Sequence, residues 1–378
     1  MTDFKNHSVL LVSREANDCL SCFLLKSQLG KRLPIVIGAL KMARYTTLKD
    51  VAERAGTTAS TVSYVLSSKS GRYISQATRE KVMKAVDELD YIKSNSAASL
   101  KGKEVKLIGI LVPQFENQFF TRIIVSAEKV FMKRGYDLVI CDTLDNPGRE
   151  KDFLRRMLEQ RVDGLIVTPT VEGTENTALI RKLGIPMVVV DRPLPGVDDY
   201  CRIATDNYGF GKLAAGELQR LGHKNVAYIG WNTKVSDLLL RAEGVRDAYE
   251  GRGNVVVEAT DFSDEGGCEG TLHVLKDHPE VTAFIYGFNM QAKGGIRCLT
   301  DAGKVIGKDT SVIVIGSPEW VNAGSNDFTH VDMGDSEVGS KAAEMLLSLI
   351  SGSCSPDFKK QIVQECSLVK GTSVADIK

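Results

Sequence analysis

From Val105 to the carboxyl end, apolar runs of strand length alternate with amphipathic helical stretches, and no other feature limits the possible folds so tightly. "LIGILVP" is followed by a helical pattern over 119–134, "YDLVICDT" by one over 149–160, "VDGLIVTPT" by a short one ending at Leu183, and then comes "IPMVVVDR". Each run is apolar at successive rather than alternate positions, so both faces of each strand need cover. The intervening helices supply it in a parallel sheet. The pattern then restarts with "NVAYIGW", helix 237–249, "VVVEATDF", helix 265–276, "TAFIYGF", helix 290–302 and "SVIVIGS". This predicts two similar α/β lobes, one over about 105–207 plus 333–378 and one over 208–332, with a helix over 210–221 between the halves. "DFTHVDMG", a helix over 337–350 and the strand "QIVQECSLV" form a tail that returns to the first lobe. Several crossings between lobes make a hinge, and the cleft between them is the default place for a small ligand.

The same stretch excludes several chemistries. The first strand is followed by "PQFENQFF" without a G-x-G-x-x-G fingerprint, and no G-x-S-x-G, H-E-x-x-H or P-loop occurs anywhere in the 378 residues. The five histidines form no spaced ligand cluster, and His223 in "RLGHKNVAYIG" reads as the end of a helix. Of eight cysteines only Cys19 and Cys22 have C-x-x-C spacing, a weak metal signal without a second pair, so the thiols are expected to be reduced and incidental. No catalytic residue, metal or cofactor is expected. No apolar run reaches the roughly 18–20 residues that span a bilayer. Arg14, Glu15 and Asp18 break up the apolar fragments of the first 41 residues, which also lack a signal-peptide cleavage pattern. Residues 1–41 are expected to be an unstructured extension, with translation starting at Met42 or the stretch serving as a tail. A cytoplasmic, membrane-free protein is expected.

Between Met42 and the first lobe the texture is different. In "TTLKDVAERAGTTASTVSYVLS", Thr47 and Asp50 fit a capping box, Leu48, Val51, Ala52 and Ala55 make one apolar stripe, and Gly56 stops the helix. After a turn of three residues Thr58 caps a second helix, running to Ser67, that buries Val62, Val65 and Leu66. A third helix, 75–89, turns Val82, Met83, Val86 and Leu89 inward. The remaining face of the second helix, Ala59, Ser60, Thr61, Ser63 and Tyr64, is small and hydroxyl-rich. Two arrangements fit: a plain three-helix bundle whose polar face meets water, or a helix-turn-helix whose second helix enters the DNA major groove. Short side chains let that helix approach closely, Thr58 and free amides suit phosphate, and Ser60, Thr61 and Tyr64 reach base edges. The chain carries 48 basic and 48 acidic residues overall, but residues 42–102 hold an excess of Lys and Arg, including Arg44, Lys49, Arg54 and Arg72, and that favours a polyanion partner.

In this order and at these spacings, "TLKDVAERAG…STVSYVLS", "TREKVMKAVDELDYI" and "RVDGLIVTP" resemble the LacI/GalR family of bacterial repressors. The likeness runs from Met42 to about Thr372. "SYVLSSKSGRYIS" and "FENQFFTRIIVSAEKVFMKRGYDLVICDT" look most like its fructose and sucrose repressor branch. The resemblance implies an α/β protein with a three-helix helix-turn-helix headpiece (42–92), a hinge helix or linker (93–104) and a two-lobed, periplasmic-binding-protein-like core with parallel sheets (105–378). It implies a homodimer on a near-palindromic double-stranded operator, with "SNSAASLKG" ordering on DNA and Leu100 wedged into the minor groove. The expected DNA contacts are Thr47, Thr58, Ala59, Ser60, Thr61, Ser63, Tyr64, Arg72, Lys93, Asn95 and Leu100. Relatives usually have Pro where Lys93 stands and often Arg where Ala98 stands, so Lys93 offers a phosphate contact while a preset backbone is lost.

For the effector, the family pattern maps onto Phe119, Phe120, Asp191, Arg241 and the ends of two strands in the second lobe. There, Phe288-Asn289 replaces the usual Asn-Asp, and Gly316-Ser317-Pro318 replaces Gly-Tyr-Asp. Fewer carboxylates and more ring surface, at Phe288 and Trp320, point to a sugar or to a sugar phosphate facing Arg122 and Arg241. Phe119 and Phe120 read equally as core residues, and Trp231 and Trp320 as cleft wall or packing. The function expected is an effector-controlled repressor. The alternative is a solute-binding protein of a sugar transporter, which needs export and has no use for a headpiece.

Overall fold

The structure is a computed structural model, and it describes residues 46–66, 74–91, 106–322, 327–354 and 358–378. The expectations for residues 1–41, Arg72 and the hinge segment with Lys93, Asn95 and Leu100 lie outside the described residues.

The headpiece begins with α1 (Leu48–Ala55). Thr47 caps it, its hydroxyl accepting from the Asp50 amide while the Asp50 carboxylate accepts from the Thr47 amide at 2.7 Å. Gly56, at φ 63°, ends it in the left-handed region that a side chain disfavours. α2 (Ala59–Leu66) and α3 (Gln76–Glu88) follow, α3 capped by Ser75. Val51, Ala52, Val62, Val65, Val82 and Ala85 form one small core, flanked by Leu48, Val86 and Leu89. Met83 was expected inward and instead is exposed. The stripe of α3 runs 82, 85, 86, 89, and Ala85 occupies the place next to Val82 that closes it.

The core contains two six-stranded sheets. The first has the order β11-β5-β4-β3-β1-β2, from β1 (Leu107–Val112), β2 (Asp137–Asp142), β3 (Gly164–Val167), β4 (Met187–Val190), β5 (Cys201–Thr205) and β11 (Gln361–Gln364), all parallel. The second has the order β12-β10-β9-β8-β6-β7, from β6 (Asn225–Trp231), β7 (Asn254–Thr260), β8 (Ala283–Tyr286), β9 (Ser311–Ile315), β10 (Thr329–Asp332) and β12 (Ser367–Val369). Only β12 runs antiparallel. α4 (Gln118–Met132) and α12 (Asp335–Ser351) cover one face of the first sheet. α5 (Pro147–Gln160), with the short α6 (Gly173–Asn176) and α7 (Ala178–Leu183), covers the other. On the second sheet these roles fall to α8 (Asn207–Arg220) with α9 (Ser236–Tyr249), and to α10 (Asp264–Asp277) with α11 (Asn289–Asp301).

The tail departs from expectation. "QIVQECSLV" is not one strand: Gln361–Gln364 adds to the first sheet and Ser367–Val369 to the second, and residues 372–378 stay with the second lobe. There His223, at the end of α8, meets the hydroxyls of Thr282 (2.8 Å) and Ser311 (2.9 Å) and the Ala375 carbonyl. The chain therefore passes between lobes three times, after β5, after β10 and after β11. α8 and α9 pack closely because Gly211 and Gly244 lack a Cβ; one added at Gly211 would stand 2.0 Å from the Arg241 carbonyl oxygen. The expected reduced thiols are also corrected in part. Cys268 of α10 and Cys298 of α11, side by side where those helices pack, form a disulfide with Cα atoms 5.5 Å apart, while Cys141, Cys201, Cys354 and Cys366 are free.

Candidate functional site

On the headpiece, Ala59, Ser60, Ser63 and Tyr64 are exposed along one face of α2, opposite buried Val62 and Val65. Tyr64 is 38% exposed. Thr58 accepts from the Thr61 amide at 3.2 Å, and its hydroxyl meets that of Thr61 at 2.9 Å, so Thr61 is half-buried and engaged in the cap. Thr47 is exposed but its side chain serves the α1 capping box. The helix thus presents small side chains and hydroxyls at its amino end, where the first backbone amides of a helix have no partner within it, which is the chemistry a major-groove element needs.

Parallel strands collect their loops at one edge, and in both lobes the carboxyl ends of the strands open on the same narrow cleft. The first lobe contributes Asn117, Gln118, Phe119, Phe120, Asp191 and Arg192; the second contributes Trp231, Arg241, Phe262, Phe288, Asn289 and Ser317. Phe119 and Phe120 satisfy both readings given for them, because each lines the cleft and packs in the first lobe's core. Opposite them Trp231, Phe262 and Phe288 make an aromatic wall with ring centroids 5.1–6.1 Å apart.

Arg241 is 3% exposed. Its Nε donates to Asn207 Oδ1 at 2.7 Å, one terminal nitrogen donates to the Gly287 carbonyl, and the other reaches only Met333 Sδ at 3.9 Å. Its guanidinium lies 4.4 Å from the Phe288 ring centroid. Burial lowers its pKa, a shift opposed by Tyr228 and Asp191, and it remains a cation. Asp191 has φ 63°, a left-handed backbone that turns the chain out of β4. Thr205 donates its hydroxyl to Asp191 Oδ1 at 2.9 Å, and Asn207 donates to Thr205 Oγ1 at 3.1 Å. A single hydrogen-bonded row, Arg241–Asn207–Thr205–Asp191, therefore joins the two cleft charges through the first crossing between lobes. Arg192 is held by Asp145 and lies over Trp231. The Nε of Arg192 and the hydroxyl of Ser317 are buried with no hydrogen-bond partner.

Two expected residues stand elsewhere. Arg122 pairs with Asp335 (3.4 Å) and does not line the cleft; Asp335, at the start of α12, does, with its pKa raised by burial and held back by Arg122. Trp320 packs edge-on against Phe328 in a 3₁₀ turn and is likewise absent from the lining. Sequence reasoning passed over Arg192, Phe262, Asn289 and Asp335. Arg192 and Asn289 each follow a residue singled out, and Phe262 ends the run "VVVEATDF", so position after a strand was the available signal.

Among the described residues no cluster of three metal-ligating side chains occurs, and no helix is long and apolar enough to cross a membrane. Two lobes with parallel sheets, a cleft at their hinge and a helix-turn-helix ahead of them define a ligand-responsive DNA-binding regulator. The family models agree: residues 47–94 match the bacterial regulatory proteins, lacI family, and residues 108–354 match a periplasmic binding protein domain. The chain belongs to the LacI family. It is 30% identical over 312 residues to the HTH-type transcriptional repressor PurR of Histophilus somni, covering 81% of this chain and 92% of that one. It is 35% identical over 203 residues to the sucrose operon repressor of Pediococcus pentosaceus, covering 54% of this chain and 59% of that one. A Lac repressor dimer bound to operator and the anti-inducer ONPF aligns at 26% identity with a TM-score of 0.65, over 88% of this chain and 100% of that one. A LacI family regulator from Enterococcus faecalis V583 with bound ribose aligns at 25% identity and a TM-score of 0.65, over 72% of this chain and all of that one.

Proposed function

We propose that this protein is a repressor that binds a near-palindromic operator as a homodimer, and that a neutral sugar in the interlobe cleft controls it. The observation that carries the ligand reading is the pair of buried, partnerless polar groups in the cleft, Arg192 Nε and Ser317 Oγ, set beside Asp191 and Arg241. Buried polar atoms are rarely left without a partner, so a hydroxyl-rich ligand is their natural complement. Aromatic walls on two sides suit the apolar faces of a sugar ring.

Charge decides between sugar and sugar phosphate. The lining holds two carboxylates, Asp191 and Asp335, and two guanidiniums, Arg192 and Arg241. Arg122, expected as a phosphate ligand, is already committed to Asp335. A phosphate would bring about two negative charges next to two buried carboxylates, and of the two guanidiniums in the lining Arg192 is already paired with Asp145, which leaves Arg241 alone to meet them, whereas hydroxyls meet both signs. On the DNA side, the exposed Ser60, Ser63 and Tyr64 read base edges, while Thr58 and the helix amino end meet phosphate. A sugar that favours the closed lobes shifts the headpieces' pairing on the operator through its different affinity for the two states. A solute-binding protein of a transporter shares the cleft but has no use for the headpiece.

The test is operator binding by fluorescence anisotropy, using DNA from the gene's own neighbourhood, against a panel of pentoses, hexoses, disaccharides and their phosphates. The expected result is a sequence-specific complex whose affinity changes with a neutral sugar. Specific binding that responds only to a phosphorylated sugar overturns the ligand assignment.

A further inference from the structure

Asp191 is gripped from two directions. Thr205 holds its carboxylate, and Arg202 of β5 holds its backbone carbonyl through Nε at 3.1 Å and through a terminal nitrogen. That same terminal nitrogen also binds the carboxylate of Asp237, in the first turn of α9, so one guanidinium spans the two lobes. Neither Arg202 nor Asp237 lines the cleft. The pair is well shielded, its side chains 11% and 25% exposed, which places it above an ordinary surface ion pair in strength.

We infer that Arg202 and Asp237 are positioning residues that make closure of the lobes and the setting of Asp191 one event. Three features converge on this. Asp191 is a non-glycine residue in a left-handed conformation, which persists only where its surroundings fix it, and Arg202 supplies that restraint. Asp237 stands four residues before Arg241 on the same side of α9, so drawing Asp237 toward the first lobe also sets Arg241 over the cleft. The ion pair exists only with the lobes together, because its partners belong to different sheets' layers; separation leaves Asp237 at a helix amino end, where a carboxylate is tolerated. The closed state thus has a stabilising contact that no ligand touches, and effector affinity includes it. The inference rests on reading the cleft as the effector site.

The experiment is amide hydrogen exchange on the full, ligand-free chain and on its Asp237→Asn and Asp237→Glu variants. Asp237→Asn is expected to speed exchange on the order of tenfold in 233–239 and also in 189–194 of the other lobe, with Asp237→Glu returning both toward wild type. If only 233–239 responds, Asp237 merely steadies the start of its own helix and the inference fails; if neither segment responds, it fails as well. Failure of the wild-type chain to bind any sugar of the panel would instead sink the effector reading, whatever the exchange pattern.

Discussion

Arg241→Ala separates the two halves of the account. The substitution strips the donors from Asn207 Oδ1, 2.7 Å away, and from the Gly287 carbonyl, both inside the protein. Each acceptor left without a donor costs about 1–3 kcal/mol. Part of this is offset, since the hydrogen-bond partners of Arg241 are neutral groups and its burial is itself unfavourable. A net loss of about 2–4 kcal/mol is expected, and at about 2–4 °C per kcal/mol for a domain of this size the core's melting temperature falls by about 4–16 °C. The headpiece has its own core, Val51 to Ala85, with no share in these contacts, so operator affinity in the absence of sugar stays near wild type. The ligand loses a charge-assisted hydrogen bond worth about 1.5–3 kcal/mol, and the sugar concentration that half-saturates the response rises about 10- to 150-fold. The assay is anisotropy of a labelled operator titrated with sugar, alongside thermal melts. A folded Arg241→Ala protein with an unchanged midpoint refutes the placement of the effector.

Four further outcomes are expected. Tyr64→Ala, at an exposed position of α2, alters the preferred operator sequence, checked by competition among operator variants. Gly211→Ala drives a Cβ to 2.0 Å from the Arg241 carbonyl and forces α8 from α9, destabilising the core by about 1–3 kcal/mol in denaturant titrations. Gly56→Ala meets no steric obstacle but strains the left-handed turn, lowering headpiece stability by about 1–2 kcal/mol without touching the core transition. Burial lowers the His223 pKa from its usual 6.5, so the unfolded chain takes up that proton first on acidification. The stability it carries is complete above about pH 6.5 and is lost as pH falls through the folded-state value; melts between pH 7.5 and 5 are steeper in wild type than in His223→Gln.

What the sequence disclosed follows from which signals are local. Apolar runs such as "LIGILVP" and "NVAYIGW" mark strands covered on both faces, and Gly56 with the two caps marks the headpiece, because each effect acts within a few residues. β5 escaped notice because "CRIAT" is short and Arg202 interrupts it; that arginine is polar for an interlobe reason no periodicity reveals. The split of "QIVQECSLV" at Glu365-Cys366 is likewise a tertiary fact, since both halves have strand character and only the two sheets decide between them. In the cleft, Asp191, Arg241 and Phe288 stood at positions a resemblance could carry over. Arg122 was placed by its match to an arginine of the fructose repressor branch and Trp320 by its ring surface, and the competing partners Asp335 and Phe328, over 200 and eight positions away in sequence, claimed them. Met83 failed for a simpler reason, the choice of phase along α3.

The direct measurement is selection of DNA from a random duplex library by the full chain, with and without the responding sugar. The expected outcome is one enriched near-palindrome whose half-sites lie a helical turn apart, whose recovery changes when the sugar is present and whose base preference shifts with Tyr64→Ala. Enrichment of no sequence above bulk DNA, with or without sugar, would contradict it.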